Sequence, residues 1–207
     1  MMKHRNIYDD FDDKDAIILV RPKPDGLDAL CKSTHYNRTE LKLIYQGFKQ
    51  ECPTGYCSED EFIEIFGRYF PQGDATKYAQ FVFNTFKPVG NQIAGYLNFE
   101  QFIKVLSSLS RGTMKEKLSW IFNLYDIDRD GYISKNEMLL ITNAIYEMIG
   151  EYTVPLNDIR NSKDHVDRFF HQIDADKDGL ISYDEFEVWC NQDEDRLQGF
   201  LQFDTII

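Results

Sequence analysis

Apolar positions recur along this chain at the 3.6-residue rhythm of amphipathic helices, as in Phe62, Phe66, Tyr69 and Phe70, and short polar loops interrupt them. Six times a small polar residue stands three before Glu or Gln and opens an apolar run. These are Asn37 with Glu40 before Leu41 to Phe48, Ser58 with Glu61 before Phe62 to Phe70, and Asn98 with Gln101 before Phe102 to Leu109. The others are Thr113 with Glu116 before Leu118 to Tyr125, Ser134 with Glu137 before Met138 to Ile149, and Ser182 with Glu185 before Phe186 to Cys190. Each pair is a capping box, which satisfies amide donors that the first helical turn leaves open. Two more helices are predicted, from about Asp74 to Phe86 and about Ser162 to Gln172, with a short one around Asp193 to Leu201. That gives eight main helices in four helix–loop–helix units. Gly55, Gly95, Gly131 and Gly179 mark the loops, a weak repeat with steps of 40, 36 and 48 residues. Residues 1–25 read as a tail, acidic from Asp9 to Asp15 and broken by Pro22 and Pro24.

Charge changes this picture more than length does. The 207 residues carry a net charge of −12, from 23 Lys and Arg against 35 Asp and Glu. Residues 1–110 hold 13 basic and 15 acidic side chains, a net of −2, whereas residues 111–207 hold 10 and 20, a net of −10. Nucleic acid is disfavoured as a partner, because phosphate contacts need Lys and Arg. The longest aliphatic run, Ala16 to Val20, is far short of the roughly 20 residues that span a bilayer, so no transmembrane segment is expected. Met1 to Asp15 is polar and shows no signal-peptide pattern. Cys31, Cys52, Cys57 and Cys190 form no CxxC pair and are too few for a disulfide scaffold.

Two loops in the acidic half explain the asymmetry. Residues 126–137 read Asp-Ile-Asp-Arg-Asp-Gly-Tyr-Ile-Ser-Lys-Asn-Glu, and residues 174–185 read Asp-Ala-Asp-Lys-Asp-Gly-Leu-Ile-Ser-Tyr-Asp-Glu. Both match D-x-[DN]-x-[DN]-G-x5-E, the EF-hand calcium loop. Calcium takes six to eight hard oxygens, at about 2.3–2.6 Å. Asp126, Asp128 and Asp130, and likewise Asp174, Asp176 and Asp178, converge only if the chain turns sharply at Gly131 and Gly179. The carbonyls of Tyr132 and Leu180 add an oxygen each, Ser134 and Ser182 reach an ion through water, and Glu137 and Glu185 close the shell. Ile133 and Ile181 are expected to meet in a short antiparallel bridge. Solvated acidic turns are the plain alternative, but one chance match has a probability of roughly 0.002 per shuffled sequence, and there are two. Two Ca2+ sites follow, with Mg2+ as a competitor.

The other two loops have lost the ligands. With Gly55 at position 6, Gln50, Cys52 and Thr54 take positions 1, 3 and 5, and Pro53 takes position 4; only Glu61 remains acidic, at position 12. With Gly95 at position 6, Gly90, Gln92 and Ala94 take those positions and Gln101 the last. Neither loop is expected to bind. Cys52 and Cys57 are either a redox pair or thiols without a role. The predicted fold is all-α: four EF-hand units in two pairs, with short β-bridges between paired loops. Residues 26–110 form the degenerate pair and residues 111–207 the calcium-binding pair with a short C-terminal helix. The first pair would serve as a platform, and calcium in the second would reshape a shared apolar surface. Tyr45, Phe48, Phe62, Phe66, Tyr69, Phe70, Phe81, Val82, Phe86 and Phe102 are candidates for that surface, against the plainer alternative that each is core.

From about Arg21 onward the chain resembles the neuronal calcium sensor family, and within it the Kv channel-interacting proteins. The resemblance is carried by residues 47–55 (GFKQECPTG), 70–74 (FPQGD), 99–102 (FEQF), Arg111-Gly112-Thr113, 116–120 (EKLSW), 122–126 (FNLYD), Ala144-Ile145-Tyr146 and 151–155 (EYTVP). It implies a cytosolic regulatory subunit of Shal-type, A-type voltage-gated potassium channels, placed at the cytosolic face of the plasma membrane. The channel's apolar N-terminal segment would lie in the groove, with effects on gating and surface expression. Met1-Met2-Lys3 lacks the second-position glycine of the family's myristoylated members, so no N-myristoylation is expected. Lys87–Gln101 departs from the pattern: it has 15 residues where a 12-residue loop is expected, a three-residue insertion. Other targets of the wider family (a cyclase, a receptor kinase or a lipid kinase), a calcium-dependent transcriptional repressor and a plain calcium buffer are the alternatives. No enzyme is expected, since His4, His35, His165 and His171 make no triad or metal spacing.

Overall fold

Helix starts follow the capping boxes. In the computed structural model, which describes residues 26–86, 95–150 and 162–192, all six boxes are formed in both directions. Ser58 Oγ accepts the Glu61 N–H at 3.2 Å while Glu61 Oε2 accepts the Ser58 N–H at 2.7 Å. A cap of this kind contributes about 1 kcal/mol.

The elements run α1 (Leu27–Ser33), α2 (Arg38–Glu51), β1 (Tyr56–Ser58), α3 (Glu59–Gly67), α4 (Thr76–Thr85), β2 (Tyr96–Asn98) and α5 (Phe99–Arg111). They continue with α6 (Met114–Tyr125), β3 (Tyr132–Ser134), α7 (Lys135–Ile149), α8 (Ser162–Ile173), β4 (Leu180–Ser182) and α9 (Tyr183–Asn191). This is the all-α fold of paired EF-hand units that the sequence predicts. β1 pairs antiparallel with β2 through Cys57↔Leu97, and β3 with β4 through Ile133↔Ile181. All four central residues are buried, so each bridge doubles as a core contact between its two loops.

Two details differ from expectation, and others lie outside the described residues. α1 is an additional helix, begun at Gly26 without a side-chain cap, and its Leu30 is buried against the core. α4 begins at Thr76 rather than Asp74, because Asp74 stays outside the helix and its Oδ1 accepts the Thr76 N–H at 2.9 Å. The helix expected around Asp193 to Leu201, the tail of residues 1–25 and the inserted part of the second loop lie outside the described residues.

The two halves share one contiguous core, in which α4 packs on α6 and α7. Tyr78, Phe83, Phe170 and Phe186 are its largest fully buried side chains, at about 1.5–3 kcal/mol each for a buried Phe-sized group. The end of α7 meets the α3–α4 connection backbone to backbone. Asp74 N–H donates to the Glu147 carbonyl at 2.8 Å, and a Cβ on Gly73 would lie 2.3 Å from that carbonyl oxygen. Lys77 and Glu147 add an ion pair at 2.8 Å.

Candidate metal centre and apolar cavity

Loops 126–137 and 174–185 fold alike. Arg129 and Lys177, at position 4, have φ of 62° and 64°, and Gly131 and Gly179 have φ of 91° and 89°. Two left-handed residues within three positions turn the chain tightly enough to gather alternate side chains. Asp126 Oδ2 accepts the Gly131 N–H at 3.1 Å, and Asp174 Oδ2 accepts the Gly179 N–H at 3.2 Å. Asp130 Oδ1 accepts the Tyr132 N–H and Asp178 Oδ1 the Leu180 N–H, both at 2.8 Å.

Carboxylate oxygens of Asp126, Asp128 and Asp130 lie within 4.8 Å of one another, as do those of Asp174, Asp176 and Glu185. Glu137 and Asp178 stand outside these groups. Glu137 is held by donors of its own loop: Oε1 accepts Ile127 and Asp128 N–H at 2.8 and 3.2 Å, and Oε2 accepts the Ser134 N–H and hydroxyl at 2.8 Å each. Glu185 repeats the pattern with Ala175, Asp176 and Ser182. The residue at position 12 is therefore also the third residue of the next helix and closes its capping box. The carbonyls of Tyr132 and Leu180 begin β3 and β4, opposite Ser182 and Ser134.

The electrostatics favour a cation. Asp126, Glu137 and Asp174 are all buried. Burial pushes the Asp126 carboxyl above its usual range; Asp130 and Glu137 add to the shift, and the Gly131 N–H opposes it. Burial also acts on Glu137 and Glu185, but the hydrogen bonds from Ser134 and Ser182 and from the loop amides outweigh it and hold both carboxyls low. Asp174 Oδ1 is buried with no hydrogen-bond partner among the described residues. An unsatisfied buried acceptor costs about 1–3 kcal/mol, more when charged. A hard divalent cation fits this donor set: convergent carboxylates, one without a protein donor, and charges that repel by about 1 kcal/mol per pair at 4 Å even in water. Calcium would supply a positive centre that these oxygens coordinate together.

The first loop shares the turn at Gly55, with φ of 91°, but Pro53 stands where Arg129 and Lys177 adopt positive φ. Proline is fixed near −65° and cannot follow. Glu61 keeps its capping role without acidic companions at positions 1, 3 and 5. Of the second loop, Gly95 (φ 89°) and Gln101 are described; Gly90, Gln92 and Ala94 lie outside the described residues. Cys52 and Cys57 are buried free thiols, and the hydrogen bond between them lowers the first thiol's pKa and raises the second's.

Seven of the ten surface candidates line one apolar cavity of about 280 Å³: Phe62, Phe66, Tyr69, Phe70, Val82, Phe86 and Phe102, joined by Ile65, Leu106 and Leu109. α3, α4 and α5 form its walls. Tyr69, 70% exposed, stands at the rim. Tyr45, Phe48 and Phe81 do not line it: Tyr45 and Phe48 pack on Phe99, with ring centroids 4.9 and 5.5 Å apart, and Phe81 lies half-buried against the core. Ile65, Leu106 and Leu109 escaped the sequence reading because it weighted aromatics; a helical-face count on α3 and α5 would have found them.

A model of the EF-hand domain pair matches residues 115–190, the segment that holds both carboxylate loops. An EF-hand domain pair over this segment supports a calcium-binding sensor role. Among the described residues no helix is long and apolar enough to cross a membrane.

Proposed function

We propose that the protein is a calcium sensor that acts as a regulatory subunit of Shal-type, A-type voltage-gated potassium channels, at the cytosolic face of the plasma membrane. Asp126, Asp128, Asp130, the Tyr132 carbonyl and Glu137 hold one ion. Asp174, Asp176, Asp178, the Leu180 carbonyl and Glu185 hold the other, with Mg2+ competing for both. Residues 26–110 are the platform and residues 111–207 the responsive half. The channel's apolar N-terminal segment occupies the cavity between α3, α4 and α5.

The observation that carries the proposal is the cavity itself: an apolar recess with an exposed aromatic rim, whose α4 wall packs on α6 and α7 of the calcium-loop half. The resemblance of segments such as residues 47–55 and 70–74 to the Kv channel-interacting proteins is what favours this partner. Recording Shal-type channel currents with and without the protein tests it. Altered current density and inactivation are expected; unchanged currents, with capture instead of a cyclase, receptor kinase or lipid kinase, would move the sensor to another target.

A further inference from the structure

The last turn of α4 is a junction. It carries Val82 and leads into Phe86, both part of the cavity wall. Two groups of the calcium-loop half hold it. The Trp120 indole N–H donates to Thr85 Oγ1 at 3.0 Å, and that hydroxyl donates to the Val82 carbonyl at 2.7 Å. Arg129 Nη2 donates to the Asn84 carbonyl at 2.6 Å. The final carbonyls of a helix lack intrahelical donors and carry its partial negative charge, so a guanidinium is well matched there.

Arg129 belongs to the loop itself. It sits at position 4, between Asp128 and Asp130, with its backbone held at a φ of 62°. Lys177 occupies the same position of the other loop at a φ of 64°; both side chains are exposed, but Lys177 has no hydrogen-bond or ion-pair partner among the described residues. The two loops share a backbone, and only one of them reaches α4 from this position.

We infer that Arg129 is the strut through which cation binding in the 126–137 loop sets the position of the last turn of α4, and with it the shape of the apolar cavity. The inference rests on the proposal that this loop binds calcium. Asp128 and Asp130 flank residue 129 directly, so gathering their carboxylates around a shared cation fixes the backbone from which the guanidinium extends. The Asn84 carbonyl then follows, and Thr85 and Phe86 with it. Linkage makes the effect reciprocal: filling the cavity alters cation affinity in this loop by the same factor.

Amide NMR during a calcium titration reads both ends of the strut. In wild type, the Gly131 amide reports the loop, and Thr85 and Phe86 shift along with it. In Arg129→Gln, Gly131 still titrates while the Thr85 and Phe86 shifts are largely lost. Arg129→Lys, which keeps a cation at this backbone position, restores part of them, and Lys177→Gln leaves them as in wild type. Wild-type-sized shifts at Thr85 and Phe86 in Arg129→Gln would overturn the strut and leave the calcium site standing. So would a wild type in which Gly131 titrates and those two amides stay still. A Gly131 amide that ignores calcium would remove the site and the strut together.

Discussion

Asp174 has two oxygens in different situations. Oδ2 accepts the Gly179 N–H, and Oδ1 is buried without a partner among the described residues. A purely structural aspartate would have both satisfied. Asp174→Asn should therefore separate the two roles. In chelator its thermal midpoint should equal or exceed wild type, because a buried, repelled charge is gone. In calcium it should lose the stabilisation that its own site contributes, about 2.7 kcal/mol at a hundredfold ligand excess, and keep that of the 126–137 loop. A midpoint lowered equally in both conditions would make Asp174 a structural residue. Gly131, at a φ of 91°, carries a different constraint. Gly131→Ala should cost about 1–2 kcal/mol of stability, read by urea unfolding, because a Cβ is strained in that conformation. The two carboxylate clusters were legible in the sequence because the spacing of their acidic residues marks them. That Glu137 turns toward the Ile127, Asp128 and Ser134 donors was not, since position 12 of the loop and the capping box claim the same side chain.

Helix starts were equally legible, because a capping box is local. Ser58→Ala should cost about 0.5–2 kcal/mol in urea unfolding with calcium binding unchanged, since its loop holds no ligand set. α1 was missed because it is seven residues long and starts at Gly26 with no side-chain cap, leaving no local signal. What anchors its junction with α2 is tertiary. The His35 N–H donates to Ser107 Oγ at 2.7 Å, and Arg111 donates to both Glu40 oxygens, at 2.8 and 3.0 Å, while lying over the Tyr36 ring. The Arg111 hydrogen bond, with the Asn37 N–H, holds the Glu40 carboxyl below its usual range. A carboxyl depressed in the folded state stabilises fully above its unfolded pKa and stops doing so as pH falls through its folded value. Glu40→Gln keeps the capping box and removes the charge. Its stability deficit against wild type should thus be present at neutral pH and close as the solution is acidified below about pH 4.3. A deficit independent of pH would assign the loss to packing.

Across the whole molecule, the halves meet where no sequence pattern points. Gly73 against Glu147, Trp120 against Thr85 and Arg129 against Asn84 join residues far apart in the chain through backbone and hydroxyl groups. Such contacts have no period or motif, so the cavity walls and the junction beside them emerged only in three dimensions. Gly73→Ala should lower stability by about 1–3 kcal/mol, because a methyl cannot fit 2.3 Å from a carbonyl oxygen without displacing α7. The charge split of −2 and −10 between residues 1–110 and 111–207 has its structural counterpart in two folded carboxylate loops in the second half. Calorimetric calcium titration of wild type beside Glu137→Gln and Glu185→Gln tests the division most directly. Two sites are predicted in wild type and one in each variant; four sites in wild type, or two retained in either variant, would contradict it.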